Sequence, residues 1–140
     1  MATIFTRIIN GELPGRFVWR DSHCVAFLSI NPLKPGHTLV VPIAEVDHWL
    51  DLDPDLARHL MTVSQSIGKA IQAGFNPSRV GVMVVGLEVP HVHVHLVPIH
   101  TMQDLNFANQ DLNPKPADLD RAAETIRASL RRLGFSHVAS

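Results

Sequence analysis

The segment that most constrains the fold is an alternation of histidine and aliphatic residues in the second half of the chain. His91, His93 and His95 alternate with Val92, Val94 and Leu96. Successive side chains of an extended strand point to opposite faces, so this spacing predicts a β-strand with three imidazoles on one face. The aliphatic face is suited to pack on a core. We therefore expect the histidine face to look outward, into a cleft or toward solvent.

Four further strands are predicted from runs of β-branched and aromatic residues. They cover residues 17–19, 23–29, 37–42 and 80–85. Because the connections between the first strands are short, antiparallel pairing is favoured over parallel crossovers. The last of these runs is continuously apolar, which predicts a strand buried on both faces. The histidine segment follows it closely, so we expect the two to pair like a hairpin.

Helical periodicity is present in three segments. Residues 4–9 have apolar side chains at helical intervals and predict a short helix. Asp53 and Pro54 are typical of a helix start, and Gly74 is the expected left-handed end of that helix. A third periodic segment covers residues 116–133. These elements predict an α+β fold with a five-stranded, mainly antiparallel sheet, two main helices and a short N-terminal helix.

Length and composition exclude several classes of protein. At 140 residues the chain has the length of one domain, which we assign to residues 1–140, with 101–140 as a C-terminal loop and helix extension. Apolar residues make up 46% and charged residues 18%, as in globular proteins and unlike disordered ones. The formal net charge of −1 gives no electrostatic reason for nonspecific binding to nucleic acid or to an anionic membrane.

Cysteine and the isolated histidines carry little functional signal. Cys24 is the only cysteine, so a disulfide within the chain and a four-thiolate zinc site are excluded, and Cys24 is expected to act as a small apolar side chain. With no long apolar segment, we expect a cytoplasmic protein without a membrane span. His48, His59 and His137 are expected to lie at the surface.

Three interpretations of the histidine face remain open from the residues alone. The histidines could be inert, although three at alternate positions are hard to explain as filler. They could bind a metal ion, but the outer two are roughly 13 Å apart along a strand, so only two could share an ion, with His37 or His100 as a further ligand. They could instead form a phosphate pocket, in which a neutral imidazole attacks phosphorus while protonated neighbours hold the anionic oxygens.

The histidine segment also resembles the motif of a known family. In the histidine triad (HIT) nucleotide-binding proteins this motif is His-φ-His-φ-His-φ-φ, where φ is apolar, and residues 91–97 match it fully. Residues 4–14 and 26–42 are similar to two further family signatures, in the same order. The chain is most similar to the small Hint-like branch, and the resemblance covers residues 4 to about 100.

The resemblance implies an activity and a set of residue roles. It implies a homodimer with a joined sheet, no required cofactor or metal, and a purine nucleotide substrate such as a nucleoside phosphoramidate, an aminoacyl adenylate or a dinucleoside polyphosphate. His93 would be the nucleophile that forms a covalent nucleotidyl intermediate, oriented by the backbone carbonyl of His91. His95 would contact the α-phosphate, and His37 would support the triad. The purine pocket would be lined by Phe5, Ile8, Phe27 and Ile30.

Three positions depart from the family pattern. Ser29 stands where many Hint-like members have an aspartate that binds the ribose hydroxyls, and a serine offers one hydrogen bond there. Glu88 stands near the expected phosphate, either as a solvated residue or as a group that recognises an amine leaving group by its charge. Thr6 and its neighbours supply no thiol for the cysteine pair that binds structural zinc in some bacterial relatives. A noncatalytic nucleotide-binding module is therefore the alternative to an enzyme.

Overall fold

One antiparallel sheet of five strands and three α-helices make up the fold. The computed structural model describes residues 1–140. The strands are β1 (Phe17–Arg20), β2 (Cys24–Leu28), β3 (Thr38–Pro42), β4 (Arg79–Met83) and β5 (Val94–Ile99), and the helices are α1 (Ile4–Ile9), α2 (Pro54–Phe75) and α3 (Pro116–Arg132). The strands lie in the order β1-β2-β3-β5-β4, and every neighbouring pair is antiparallel. The predicted α+β fold with a five-stranded sheet is confirmed.

Local chemistry determines where the longest helix begins and ends. Asp53 caps α2 by accepting a hydrogen bond from an amide of the first turn, and Pro54 takes the first helical position, as predicted. The predicted end at Gly74 is wrong, because the helix continues through Phe75 and Asn76 adopts the left-handed conformation, with φ of 50°. Asparagine tolerates this conformation better than most residues, so it can cap the helix. No helix of the fold combines the length and apolarity needed to cross a membrane.

The sheet carries a different apolar cluster on each face. One face packs on α2 and α3 and buries the aliphatic residues of segment 91–96, as the alternation predicts. The other face lies under α1, whose Phe5 and Ile8 pack on it. Strand β2 contributes to both clusters, with Cys24 on the side of α2 and α3 and Phe27 on the side of α1. Neighbouring side chains of β2 therefore lie in two separate environments.

The strand predicted to pair with the histidine segment, β4, lies at the edge of the sheet. β4 pairs with β5 as expected, with Val82 opposite Leu96. The prediction that residues 80–85 are buried on both faces is wrong, because β4 is half-exposed and Val82 is 47% exposed. A continuous apolar run shows that both faces favour burial, whereas the rest of this chain covers only part of the strand.

The histidine segment also differs from its prediction. β5 begins at Val94, and residues 91–93 precede it as irregular chain. Of the two expected settings for the imidazoles, a cleft or open solvent, the second is wrong, since His91, His93 and His95 are 0%, 7% and 8% exposed. The ring of Phe5 on α1 packs edge-on against two of these imidazoles, and this long-range contact is not encoded in the alternation itself.

Candidate active site

The middle histidine of the triad is fixed in one tautomer. Nδ1 of His93 lies 2.8 Å from the backbone carbonyl oxygen of His91. A carbonyl oxygen only accepts, so Nδ1 carries the proton and donates it, and Nε2 of the neutral ring keeps a lone pair. This is the hydrogen bond that the family resemblance implies. It leaves Nε2 as the atom of His93 that is free to react.

A chain of hydrogen bonds fixes His95 in the opposite tautomer. The amide of Leu33 donates to Nδ1 of His37 over 3.0 Å, so the proton of neutral His37 lies on Nε2. That Nε2 lies 3.0 Å from Nδ1 of His95 and donates to it. The proton of His95 is consequently on its own Nε2. The rings of His93 and His95 lie with their centroids 4.8 Å apart. His93 thus presents a lone pair on Nε2, and His95 presents an N–H donor on Nε2.

The first histidine is held by a donor and an acceptor. Nε2 of His91 lies 2.7 Å from the carbonyl oxygen of Pro42 and donates to it. Nδ1 lies 2.7 Å from Oγ1 of Thr3, whose hydroxyl donates to the ring. Thr3 also caps α1, because its Oγ1 accepts a hydrogen bond from the amide of Thr6. The start of α1, the helix that carries Phe5, is thereby tied to the triad.

Burial lowers the pKa of three imidazoles of this site, those of His37, His93 and His95. Burial lowers the pKa of His37 to about 3 and that of His95 to about 4, and charge on the neighbouring imidazoles acts in the same direction. Burial also lowers the pKa of His93, although the hydrogen bond to the His91 carbonyl and the charge of Glu88 oppose this shift. At neutral pH His95 therefore presents a neutral N–H, because its charged form would be poorly solvated, whereas the phosphate-pocket interpretation expected a protonated neighbour.

The lowered pKa values predict a loss of stability in mild acid. Once the pH falls below the ordinary histidine value of 6.5, unfolded chains bind protons at these positions, whereas folded His95 and His37 stay neutral down to about 4 and about 3. The unfolded state then holds more protons than the folded state. The free energy of unfolding therefore decreases as the pH is lowered, by on the order of 1 kcal/mol per pH unit for each histidine. Thermal unfolding measured between about pH 7 and pH 4 should show a falling Tm. The fall should be shallower in a His37→Gln variant, and equal slopes in both proteins would contradict this origin.

An apolar surface lies beside His93. The ring of Phe5 packs edge-on against His93, with centroids 4.9 Å apart, and against Phe27, with centroids 5.6 Å apart. Ile8 belongs to the same buried cluster. Ile30 is 64% exposed and lies outside that cluster. The structure therefore brings together three of the four residues predicted to line a purine pocket.

Two of the three positions that depart from the family pattern, Ser29 and Glu88, differ in their surroundings. Ser29 is half-buried, and its Oγ accepts a hydrogen bond from the amide of Asn31 over 3.3 Å, which leaves the hydroxyl proton free to donate. Glu88 is exposed in the irregular segment between β4 and the triad. Its charge acts on His93 without any hydrogen bond or ion pair to another side chain. Glu88 is thus an unpaired carboxylate near the triad.

Comparison with known proteins establishes the family. A family model of the HIT domain matches residues 10–102. The chain belongs to the HIT family. A HIT-like protein of Methanocaldococcus jannaschii is 38% identical over 99 residues, which cover 68% of this chain and 77% of that protein. The adenylylsulfatase HINT3 of Arabidopsis thaliana is 25% identical over 134 residues, covering 92% of this chain and 68% of that protein. The crystal structure of a Zn-bound histidine triad family protein from Mycobacterium smegmatis aligns with a TM-score of 0.82 at 25% identity, covering 95% of this chain and 96% of that one.

Several contacts of this HIT protein are not apparent from its sequence. The ring of Phe107 packs edge-on against His95, with centroids 5.3 Å apart, from the segment 101–140 assigned as a C-terminal loop and helix extension. Thr3 could have been found as a capping residue one position before the predicted helix, although its bond to His91 could not. His59, predicted to lie at the surface, does so only in part: its side chain is 34% exposed, and its Nε2 lies 2.8 Å from the Asp21 carboxylate.

The donor set of this HIT triad does not suit a zinc ion. Zinc in proteins is typically bound by four ligands drawn from thiolate, imidazole and carboxylate groups. Both ring nitrogens of His91 already carry hydrogen bonds, and the neighbour of its Nδ1 is the hydroxyl of Thr3. The nitrogens of the triad without a bonded partner are Nε2 of His93 and Nε2 of His95. That the site requires no metal or other cofactor stays a prediction.

Proposed function

We propose that this chain is a nucleotide hydrolase or transferase that acts at the α-phosphate of a nucleoside phosphoramidate or a related nucleotide. The observation that carries the proposal is the pair of opposite tautomers, with a lone pair on Nε2 of His93 and a proton on Nε2 of His95. A nucleophile beside a donor is the arrangement that attack on a phosphoryl group requires. Membership of the HIT family, and a relative named adenylylsulfatase, support a nucleotide hydrolase.

The proposed reaction consists of two displacements at phosphorus. Nε2 of His93 attacks the α-phosphorus, a nitrogen–phosphorus bond forms, and the bond from phosphorus to the leaving amine breaks as the amine takes a proton from water. The His91 carbonyl, bonded to Nδ1 of His93, stabilises the positive charge on the ring, and His95 donates to a phosphoryl oxygen. His37 positions His95. Water then attacks the same phosphorus, which releases the nucleoside monophosphate and restores His93.

The substrate is proposed to be a purine nucleotide. Phe5, Ile8 and Phe27 provide apolar and aromatic surface next to His93, and Ile30 would join them only at the exposed side. Ser29 is proposed to donate one hydrogen bond to a ribose hydroxyl, because its proton is uncommitted. One neutral hydrogen bond is weaker than the pair that a carboxylate forms, so ribose recognition is expected to be loose.

Turnover of adenosine 5′-phosphoramidate by the wild-type protein tests the proposal. We expect AMP and ammonia in equal amounts, and rapid quenching followed by mass spectrometry should find an adenylyl group on the peptide that contains His93. Binding of AMP without any turnover would instead support the noncatalytic module. Activity that survives exhaustive chelation would support the absence of a metal requirement.

Glu88 is proposed to recognise the leaving group by charge. It is exposed and unpaired, and its field reaches His93. Substitution Glu88→Gln is expected to lower kcat/KM about threefold to fivefold for a substrate whose leaving group carries an ammonium, since an exposed ion pair contributes up to about 1 kcal/mol. A neutral alcohol leaving group should be affected less. An unchanged ratio of the two kcat/KM values would leave Glu88 as a solvated residue.

A homodimer joined through β4 is also proposed. The free edge of β4 carries exposed Val82, and next to it a groove of about 310 Å³ is lined entirely by apolar residues, among them Trp49, Met61 and Val84. A second copy could pair with this edge and cover the groove. Light scattering should then give twice the 15.5 kDa chain mass.

The substitution Val82→Asp should convert this dimer to a monomer without unfolding the chain, because the side chain is 47% exposed within one copy. Leu112→Asp is the matched control, since Leu112 is 75% exposed and lies outside the β4 edge and its groove. A wild-type protein that remains at the chain mass at micromolar concentration would contradict the dimer.

A further inference from the structure

A second cluster of metal-ligating side chains lies on the face of the sheet opposite the triad. Asp21 follows β1, Cys24 opens β2 on the side of α2 and α3, and His59 extends from α2. One ligand atom from each residue lies within 4.8 Å of the other two. We propose that Asp21, Cys24 and His59 bind a zinc ion.

The two distances from the Asp21 carboxylate to the other ligand atoms are close to those of a tetrahedral site. Oδ2 of Asp21 lies 3.6 Å from Sγ of Cys24 and 2.8 Å from Nε2 of His59. Bonds of about 2.0–2.3 Å to zinc place neighbouring ligand atoms roughly 3.3–3.6 Å apart. The oxygen–sulfur distance already fits. The oxygen–nitrogen distance must open by about half an ångström, which the His59 side chain, 34% exposed, can provide by rotating.

The Asp21 carboxylate is oriented by groups around it. Its Oδ1 accepts hydrogen bonds from the amides of His23 and Cys24, and its Oδ2 accepts one from Nε1 of Trp19 over 2.9 Å. Carboxylates that bind metals are typically held by such outer hydrogen bonds. Three donors, from Trp19, His59 and Cys24, converge on Oδ2, which has two lone pairs. If an ion replaced the protons that His59 and Cys24 donate, Oδ2 would have two partners, the ion and Nε1 of Trp19.

The donor set points to zinc among the common ions. Sulfur, imidazole nitrogen and a carboxylate oxygen suit zinc, whereas magnesium and calcium take oxygen ligands. The charges of a thiolate and a carboxylate balance a divalent cation, so the cluster with its ion is neutral, which suits a cysteine that is 0% exposed. Three protein ligands leave a fourth position for water on the exposed side of His59.

Binding is a proton exchange without oxidation or reduction. A zinc–sulfur bond forms as the Cys24 thiol releases its proton to solvent. His59 donates from Nε2 to Asp21 in the metal-free protein, so on binding its ring proton moves from Nε2 to Nδ1 by exchange with solvent and the Nε2 lone pair takes the ion. Asp21 is already ionised, so the only proton released for each ion is that of the Cys24 thiol. The ion would tie the β1–β2 turn to α2. Its expected effect is therefore on the stability of this corner of the fold.

Cobalt is the probe for this site, because a cobalt–thiolate bond gives a charge-transfer absorption that binding to histidines alone does not. We expect one equivalent of Co²⁺ to produce this band in the full-length protein, Zn²⁺ to displace it, and one proton to be released per ion. Zn²⁺ at about 100 times its Kd should raise Tm by on the order of 10 °C.

The variants distinguish this cluster from the triad. His59→Ala removes a half-exposed ligand and is expected to weaken binding at least about tenfold, and Cys24→Ser is expected to abolish the charge-transfer band. His48→Ala, which removes an exposed histidine outside the cluster, and His93→Ala are expected to retain the band. Absence of the band in the wild type overturns the proposal. So does metal binding that survives both His59→Ala and Cys24→Ser but is lost in His93→Ala.

Discussion

Replacing His93 with alanine is expected to lower turnover of adenosine 5′-phosphoramidate by at least about a thousandfold, with little change in the affinity for AMP. Nε2 of His93 is the ring nitrogen at the centre of the triad that keeps an uncommitted lone pair, because Nδ1 donates to the His91 carbonyl. Without it no covalent intermediate can form, and loss of a nucleophile in covalent catalysis typically costs three or more orders of magnitude. The N–H of His95 and the apolar surface of Phe5 remain to bind the product.

Steady-state kcat and the Kd of AMP, measured by calorimetry, separate these two effects. His48→Ala is the matched control, since it removes an exposed histidine whose ring accepts from the Leu50 amide and not from the triad, and it should leave both quantities unchanged. Thermal unfolding of each variant shows whether it is folded. A His93→Ala protein that turns over the phosphoramidate within threefold of wild type would remove His93 from the nucleophilic role.

The alternation of residues 91–96 was enough to predict that the aliphatic side chains are buried in the core. It was not enough to predict that the imidazoles on the other face are buried too. The aliphatic residues lie in the core because a period of two is a local property of the strand. The burial of the imidazoles depends on α1, and the hydrogen bond from Thr3 to His91 joins residues 88 positions apart. No pattern within a short window contains such a contact.

Tautomers likewise could not be predicted from residue identities. The resemblance to the family places His37 behind the triad, but the proton positions depend on the amide of Leu33 and on the turn that precedes His37. Gly36 allows this turn, since its φ is +98° and a Cβ there would lie 2.8 Å from the ring of Phe75. The sequence predicts a loop at this point, but not that the Leu33 amide lies against Nδ1 of His37.

Sequence patterns also fail to predict the cluster on the other face of the sheet, formed by Asp21, Cys24 and His59. Each residue has an unremarkable local setting, in a turn, at a strand start and on a helix. Metal sites are predicted from sequence when their ligands recur at short fixed spacings. Here 38 positions separate Asp21 from His59, so the packing of α2 on the sheet brings them together.

Substitution His37→Leu is expected to lower kcat by on the order of a hundredfold while KM changes little. Leucine fills part of the volume of a side chain that is 1% exposed, but it cannot donate to Nδ1 of His95. His95 is then no longer held with its proton on Nε2, and a histidine in the wrong tautomer cannot serve its catalytic role. The defect is one of transition-state stabilisation, because the apolar pocket does not involve His37.

His37→Gln is the control variant, since its side-chain amide can still donate to His95, and it should recover most of the lost kcat. Nitrogen NMR of the imidazoles distinguishes positioning from a general loss of packing. In the wild type the proton of His95 should be found on Nε2, in the leucine variant it should be shared between both nitrogens, and in the glutamine variant it should return to Nε2. Equal kcat values for the two variants, with an unchanged His95 tautomer in both, would show that His37 only fills space. The proton position on His95 would then have to be set by its own surroundings, including the Phe107 ring, and not by the chain of hydrogen bonds from Leu33.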